Sequence, residues 1–517
     1  FNNGYFVQNG PQLYGSSYSR SLGGSTLHWL GVSLRMLPED FELKRRHGVG
    51  RDWPLAYSDL EPFYRRAELD LGVSANVADQ RYHGLRFPDG YDFPMERVPL
   101  SYSDQWLMSA TEGLQVSLGQ DSIPIRIRSY PAARNSMPRP GYQPTGAVDR
   151  RADGQRLSSF LGERCQGNTS CTPICPVQAK YNAGRTLGQI DGVKMKIQAR
   201  SVVTGINVDS TTGIVRSVTY RKYSEDGQST EQASARMYVL AAHAVENSKI
   251  MLMSGLSGDS DLVGCNLMDH PTLYAWGLTP KAIGPFRGPL STSGIEDLRA
   301  GAFRANHAAF RFDVGNDGWA APAGAPESTL VGRVMEGGLF GRQLRRNLAA
   351  TLSRQIRLSL AVEQLPDSAN RVRLDDRFLD PLGVPRPAIE YRIDHYTLAG
   401  MAQAKRVAKA IFSKAGIEDH SDTGGGKWFP SVQFEGETFH YHGMGHFAGT
   451  HLMGDSSRTS VVDHAQRCWG HNNLYMIGSG SFPTMGTSNP TLTIAALAIR
   501  TADHIVSELK TGSFDRS

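Results

Sequence analysis

Three of the five cysteines in this 517-residue chain lie within eleven residues, at positions 165, 171 and 175. Their spacing is C-x5-C-x3-C, and Pro176 follows the last of them. A loop with uneven short spacings can wrap one iron–sulfur cluster, and Cys-Pro endings recur in such loops. Three thiolates favour a [3Fe–4S] cluster, because a [4Fe–4S] cluster would need an outside ligand at its fourth iron. The pattern therefore predicts a carrier of single electrons.

Two other interpretations of the cysteines stay open. A zinc site would normally contain a C-x-x-C pair and a fourth ligand, and neither is found close by. Buried free thiols would be ordinary core residues, but cores seldom place three within eleven residues.

A second candidate site lies near the carboxyl end, where "HYHGMGHFAGTHLMGD" carries several histidines and glycines. A metal site is weakly indicated, because the glycines break any helix that would hold the ligands on one face. An ordinary structural role is the alternative for each ring. The histidines are His440, His442, His446 and His451.

Asn489 lies in the segment "GTSNPTLTIAALAIR", in a turn fixed by Pro490 at the start of a predicted helix. The free N–H groups and positive dipole of a helix N-terminus suit a negatively charged ring or phosphate. A histidine and an asparagine on two loops would supply a base and a hydrogen-bond donor for oxidising an alcohol.

The elements around these candidates can be predicted in outline. Residues 198–240 alternate like strands and predict a small meander. Residues 395–416 have helical periodicity and a terminal glycine. The tail predicts a strand in "NLYMIGSG", then a loop, then a helix in "TLTIAALAIRTADHIVSEL". Residues 57–73 predict a helix capped by Ser58 or Asp59, with Pro62 in its first turn.

Composition adds exclusions. The net charge of +5 is small for this length, so nucleic acid is not expected as a partner. No apolar run reaches the ~18 residues needed to cross a bilayer. The opening "FNNGYFVQNG" has no leader-like pattern and no strand or helix cap, and we expect that upstream sequence is missing.

Five motifs occur in this order along the chain: "GGSTLHW", "YVLAAHAVENSKIMLMSG", "LVGCNLMDHP", "HFAGTHLMG" and "GSFPTMGTSNPTLTIAALAIR". That order is typical of glucose–methanol–choline (GMC) oxidoreductases, a family that the chain resembles over nearly its whole length. The three-cysteine stretch, "GVGRDWPLAYSDLEPFYRRAE" and "PAARNSMPRPGY" further resemble the catalytic subunits of bacterial membrane-bound dehydrogenases of glucose, fructose and related sugars. Those enzymes carry FAD and a [3Fe–4S] cluster.

The resemblance implies an α/β fold, with two domains of the GMC type. The FAD-binding domain would be discontinuous (1–56, 156–275 and 452–517), and an α+β substrate domain would use 57–155 and 276–451. The family begins with a G-x-G-x-x-G dinucleotide-binding segment, and this sequence opens without one. We expect a missing first segment rather than an inability to hold FAD.

The resemblance also assigns roles by position. His446 and Asn489 match the catalytic pair, and the three cysteines match the cluster ligands. His28 falls where some relatives attach FAD covalently, and a non-covalent flavin neighbour is the equal alternative; His243 departs from the usual glycine. The positions that match FAD contacts are Gly23, Gly24, His28, Val203, Gly480 and Thr491.

The implied activity is oxidation of a sugar or polyol hydroxyl by hydride transfer to FAD, with electrons leaving through the cluster to a cytochrome c. A small accessory subunit and a periplasmic or membrane-associated location, reached through a partner, are expected by analogy. The alternatives are a pyranose or alcohol oxidase that uses oxygen, and a non-catalytic metal-stabilised subunit.

Overall fold

The computed structural model describes residues 4–142, 162–167, 171–172, 175–190, 194–285, 288, 291–316, 337–421 and 429–512. The helices are α1 (Leu43–His47), α2 (Tyr57–Leu71), α3 (Tyr102–Ala110), α4 (Ala183–Leu187), α5 (Ala244–Met253), α6 (Gly341–Thr351), α7 (His395–Ala415) and α8 (Thr491–Thr511).

The strands are β1 (Val7–Gln8), β2 (Gln115–Leu118), β3 (Asp121–Pro124), β4 (Ile127–Ser129), β5 (Ser201–Val208), β6 (Val215–Ser224), β7 (Gly227–Ala233), β8 (Tyr238–Leu240), β9 (Pro271–Leu278), β10 (Ser291–Ile295), β11 (Phe310–Gly315), β12 (Gln355–Val362), β13 (Arg371–Leu379), β14 (Pro385–Glu390), β15 (Glu418–Asp419), β16 (Ser431–Phe434), β17 (Glu437–His440), β18 (His442–Gly443) and β19 (Leu474–Met476).

The largest sheet runs in the order β15-β9-β12-β11-β10-β4, and β18 pairs with the start of β9. Its strands pair antiparallel, and β12 at its centre is buried at every position. Along β11 the apolar Phe310 and Phe312 alternate with the polar Arg311 and Asp313. Because side chains alternate across a strand, the sheet has one apolar face and one face carrying polar groups.

Helix α7 packs against this sheet. It begins after Asp394, whose carboxylate accepts a hydrogen bond from the N–H of Thr397 at 3.0 Å. It ends before Gly416, which adopts φ 63°, a left-handed conformation that glycine reaches at little cost. The helix predicted from periodicity is therefore confirmed, and its apolar stripe joins the core of the sheet.

A second core lies around α2, α5, α8, β5, β8 and β19. The meander predicted over 198–240 is confirmed in part: β5, β6 and β7 form an antiparallel sheet, but β8, at the end of that range, lies outside it and pairs in parallel with β19. The predicted tail of strand, loop and helix is confirmed by β19 and α8. Within the residues that the model describes, no helix combines the length and the apolar character that a bilayer crossing requires.

The predicted cap of α2 was wrong by two to three residues. The helix begins at Tyr57 with Ala56 at the cap position, and the Asp59 carboxylate accepts from the Ala56 N–H at 2.8 Å. Asp59 therefore lies inside the first turn, and its side chain accepts from the backbone N–H of the cap residue. Pro62 is the sixth helical residue, beyond that turn. Helix α2 packs on α8. The predicted domain boundaries stay a prediction.

Candidate functional site

His446 and Asn489, predicted on two separate loops, lie in contact. The Nδ2 atom of Asn489 is 3.3 Å from Nε2 of His446. The histidine follows β18 in a loop, and the asparagine lies two residues before the first residue of α8. Both side chains are half-buried, so they border a space that a ligand can reach. The arrangement places a ring nitrogen and an amide N–H side by side.

Arg311 holds the amide of Asn489 from the polar face of the large sheet. Its Nη2 donates to Asn489 Oδ1 at 2.8 Å, and its Nε donates to the Thr487 carbonyl at 2.7 Å. Its Nη1 donates hydrogen bonds to the Tyr130 hydroxyl oxygen and to the Asp313 carboxylate. The guanidinium is fully buried, so its five donors need these partners. Sequence reasoning missed Arg311; its alternation with Phe310 and Phe312 was the available signal.

His270 contacts the other side of the His446 ring. The two Nδ1 atoms are 2.8 Å apart, and His270 Nε2 lies 2.9 Å from the Gly486 carbonyl oxygen. Burial lowers the pKa of His270 to about 3. Burial, together with His270 and Arg311, holds the pKa of His446 well below its usual range. Both rings are therefore neutral at pH 7, and His446 is in its basic form.

Asp269 anchors the loop that carries His446. Its Oδ1 accepts from the backbone N–H groups of His270 at 2.7 Å, His446 at 3.0 Å and Met444 at 3.3 Å. Its second oxygen accepts from the Ser16 hydroxyl. Asp269, His270 and His446 lie close enough to hold a metal ion, but the carboxylate oxygens are already engaged. Asp269 and His270 were missed as site residues, although both stand in the motif "LVGCNLMDHP".

The loop predicted to pass the flavin has an open backbone. Gly23 and Gly24 adopt φ 94° and 54°, values that favour glycine. A Cβ added to Gly24 would meet only the Ser19 carbonyl oxygen, at 3.9 Å, so space is available beside it. His28 ends the short turn Gly24–Leu27, and its side chain is exposed. A ligand could approach this backbone closely.

Gly480 and Thr491 lie in segments connected to His446 and Asn489. Segment 446–451 is joined to Gly480 by the hydrogen bond from His451 N to the Gly480 carbonyl, at 2.8 Å. Thr491 opens the 21-residue helix α8, whose N-terminus has no side-chain cap. The helix end and the open backbone at Gly24 fit FAD, because they accommodate an electron-rich ring or pyrophosphate. Val203 lies half-buried in β5, and no hydrogen bond between described residues joins it to the pair.

Gly480 must be glycine because His451 leaves no room for a methyl group. An added Cβ would lie 1.9 Å from Cε1 of the buried His451 ring. We expect Gly480→Ala to lower the free energy of unfolding by about 3 kcal/mol, since a packed ring would have to move. Urea denaturation measures this, with Gly205→Ala as control, because its added Cβ would meet its nearest atom at 4.0 Å. Equal losses in both variants would contradict the packing argument.

The three clustered cysteines form no disulfide with another described residue, and Cys171 and Cys175 are buried. Burial raises the pKa of Cys165, and the neighbouring Cys171 and Cys175 raise it further. Lys180 donates to the carbonyls of Cys171 and Trp29. This lysine ties the cysteine loop to the segment containing His28, next to the glycines predicted to pass the flavin.

The donor set suits an iron–sulfur cluster. Thiolates are the usual protein ligands of such clusters, and Arg185 and Lys180 place positive charge next to Cys175 and Cys171, which suits an anionic group. The three sulfurs do not form one tight group of the kind that holds a single ion. That is expected of a cluster, because each ligand binds a different iron.

His243, at the position where the family resemblance predicts glycine, has a glycine-like backbone. Its φ is 93°, and its ring stacks on Tyr18 with centroids 4.3 Å apart and packs edge-on against Phe447 at 4.6 Å. Non-glycine residues seldom adopt such a φ, so ring packing must offset the strain. The residue also starts α5, where its Nδ1 accepts from Val245 N at 3.4 Å.

Buried neutral histidines make the stability of the fold depend on pH. Burial lowers the pKa of His243, His270 and His451 to about 3 each. In the unfolded chain each ring takes up a proton near pH ~6.5. Between these two values the unfolded state binds more protons, so stability falls as pH falls, by at most about 1.4 kcal/mol per pH unit for each ring.

We expect His243→Gly to reduce this slope by up to about 1.4 kcal/mol per pH unit between about pH 6 and 4, because one buried ring is removed. Unfolding free energies from urea titrations across that range measure the slope. His440→Gln is the control, since His440 is exposed. An unchanged slope in the glycine variant would show that His243 is protonated in the folded state.

A cavity of about 280 Å³ opens along β9, beside the loop that leads to His446. The described residues that line it include Tyr274, Trp276, Phe429 and His442, and they do not include the contacting pair. The rings of Tyr274 and His442 lie 4.6 Å apart. The cavity is therefore a neighbour of the pair rather than its enclosure.

Comparison with known proteins gives matches along most of the chain. Models of the GMC oxidoreductase family match residues 158–272 and 366–498. The fructose dehydrogenase large subunit of Gluconobacter japonicus is 30% identical over 99% of this chain and 85% of its own length. The gluconate 2-dehydrogenase flavoprotein of Pantoea cypripedii is 24% identical over 93% of this chain and 78% of its own. A formate oxidase structure from Aspergillus oryzae has a TM-score of 0.62 at 12% identity, covering 99% and 89% of the two chains.

Proposed function

The chain belongs to the GMC oxidoreductase family, and from this premise we propose that it is the catalytic subunit of a sugar or polyol dehydrogenase. Membership implies an enzyme that oxidises a hydroxyl group with FAD. It also confirms the family and the GMC-type α/β fold that the motifs predicted. The sugar or polyol substrate is inferred from relatives whose names specify fructose and gluconate.

The observation that carries the proposal is the contact between His446 and Asn489. Nε2 of His446, neutral and half-buried, takes the proton of the substrate hydroxyl. The amide N–H of Asn489 donates to the same oxygen and holds the substrate carbon in one orientation. Bound FAD supplies the acceptor for the hydride that leaves this carbon. Arg311 keeps the amide from rotating, because it can only donate to the amide oxygen.

We infer that electrons leave through a [3Fe–4S] cluster held by Cys165, Cys171 and Cys175. The link from Lys180 to the Cys171 and Trp29 carbonyls supports it, because it would put the cluster next to the loop predicted to pass FAD. We further propose a cytochrome c acceptor, a small accessory subunit, and a periplasmic or membrane-associated location reached through that partner. These follow the analogy with bacterial sugar dehydrogenases.

The experiment that tests the activity mixes the full-length FAD-loaded protein anaerobically with a panel of aldoses, ketoses and polyols. We expect at least one of them to bleach the flavin absorbance within seconds. No bleaching by any member would contradict the proposal. Under air, peroxide released in step with sugar consumption would identify an oxygen-using oxidase, whereas electron transfer to a dye supports a dehydrogenase.

The cluster is tested by iron and sulfide analysis together with EPR spectroscopy. We expect about three irons per chain and an EPR signal in the oxidised protein, since an oxidised [3Fe–4S] centre is paramagnetic. Zinc in place of iron would contradict the cluster and favour the alternative metal site. Iron-free protein that still reduces a cytochrome would contradict the proposed electron exit.

A further inference from the structure

His270 lies in a series of hydrogen bonds in which the groups at the two ends determine which ring nitrogens donate and which accept. The Gly486 carbonyl can only accept, so His270 Nε2, 2.9 Å away, carries a proton. In a neutral ring the other nitrogen is then unprotonated. His270 Nδ1 therefore accepts, and the proton in the 2.8 Å contact belongs to Nδ1 of His446. This leaves Nε2 of His446 unprotonated, with a lone pair that can accept.

The Asn489 end of this series of hydrogen bonds independently indicates that Nε2 of His446 is unprotonated. Arg311 has no acceptor atom, so the Asn489 oxygen must face it and the amide nitrogen must face His446. That amide nitrogen donates, so Nε2 of His446 has to accept. A carbonyl on one side and a guanidinium on the other thus select one tautomer of the ring between them.

We propose that His270 is a positioning residue that makes Nε2 the basic atom of His446 and stabilises the imidazolium formed when that atom takes up the substrate proton. This rests on the proposed function of His446. Uptake forms a new N–H bond at Nε2 and leaves the Nδ1 proton in place. The positive ring then donates to a neutral imidazole, a stronger bond than between two neutral rings.

The contact between His446 and His270 matters because the other charged groups near the His446 ring do not stabilise its protonated form. Arg311 and Arg299 place positive charge near the two histidines, and that charge opposes an imidazolium. Asp269 contacts the His446 backbone N–H rather than its ring. Among the described hydrogen bonds, the contact with His270 Nδ1 is the one in which the ring of His446 donates.

Two amide variants separate the two bonds of His270. His270→Asn keeps an acceptor near His446 and loses the bond to Gly486, whereas His270→Gln keeps a donor to Gly486 and loses the acceptor. We expect His270→Gln to lower the rate constant of flavin reduction by about 10- to 100-fold with KM within about twofold, and His270→Asn to restore most of it. Equal losses in both, in proportion to lost stability, would overturn the proposal.

A second readout needs no turnover. NMR of the resting full-length protein with 15N-labelled histidine should show an unprotonated Nε2 and a protonated Nδ1 for His446, assigned by loss of the signals in His446→Gln. His270→Asn should keep the strongly downfield Nδ1 proton, and His270→Gln should lose it. A protonated Nε2 in the wild type would overturn the inference. Absence of any sugar substrate would instead contradict the proposed function, and the NMR result would then decide this inference alone.

Discussion

His446→Gln lowers the rate constant for sugar-dependent flavin reduction by about 10²- to 10⁴-fold, the range expected when a positioned general base is removed. Glutamine has nearly the length of histidine and can still contact Asn489, but it cannot take up a proton at neutral pH. FAD should remain bound, since the ring is half-buried and borders the site from one side. Anaerobic stopped-flow absorbance of the flavin measures the rate, and a spectrum of the resting protein measures FAD content.

His440→Gln is the matched control for this variant. His440 lies six residues earlier, at the end of β17, and its side chain is exposed. We expect its rate of flavin reduction to equal that of the wild type. The assignment of His446 as the base would be wrong if its glutamine variant reduced flavin at nearly the wild-type rate. Loss of FAD from that variant alone would indicate a role in binding.

The parts of the fold that depend on local pattern were predictable. Helix α7 carries its period in its own residues and its caps in the residues on either side, and β5 and β6 alternate as strands do. The start of α2 was misplaced because Asp59 looks like a cap but binds the N–H of Ala56 from within the helix. Capping in that direction is decided by backbone conformation, which residue type alone does not fix.

The candidate site divides in the same way. His446 and Asn489 were predicted because their motifs resemble those of a family, and the structure brings the two side chains into contact. Arg311 lies 178 residues from Asn489, and His270 lies 176 residues from His446. Sequence pattern could mark Arg311 as facing away from the apolar core. It could not show which loop that buried charge would meet, because the pairing depends on long-range packing.

The second large expected effect is on electron transfer from the flavin to an acceptor, which we propose passes through the cluster. We expect Cys171→Ser to abolish electron transfer to a cytochrome c acceptor while sugar-dependent flavin reduction stays within a few-fold of the wild type. A hydroxyl is a poor ligand for iron, and a cluster with three thiolate ligands cannot spare one. The substitution is small and leaves the Cys171 carbonyl that accepts from Lys180. Acceptor reduction, flavin bleaching and iron content are measured on the same preparation.

Cys265→Ser distinguishes loss of the cluster from loss of any buried thiol. Cys265 is also buried, and its sulfur lies 3.6 Å from the Asp261 carbonyl, a contact that a serine hydroxyl can reproduce. It should therefore keep its iron and its full acceptor rate. If Cys171→Ser kept both as well, the cysteines would not hold the cluster. If it lost iron but still reduced the cytochrome, electrons would pass directly from the flavin and the cluster would have another role.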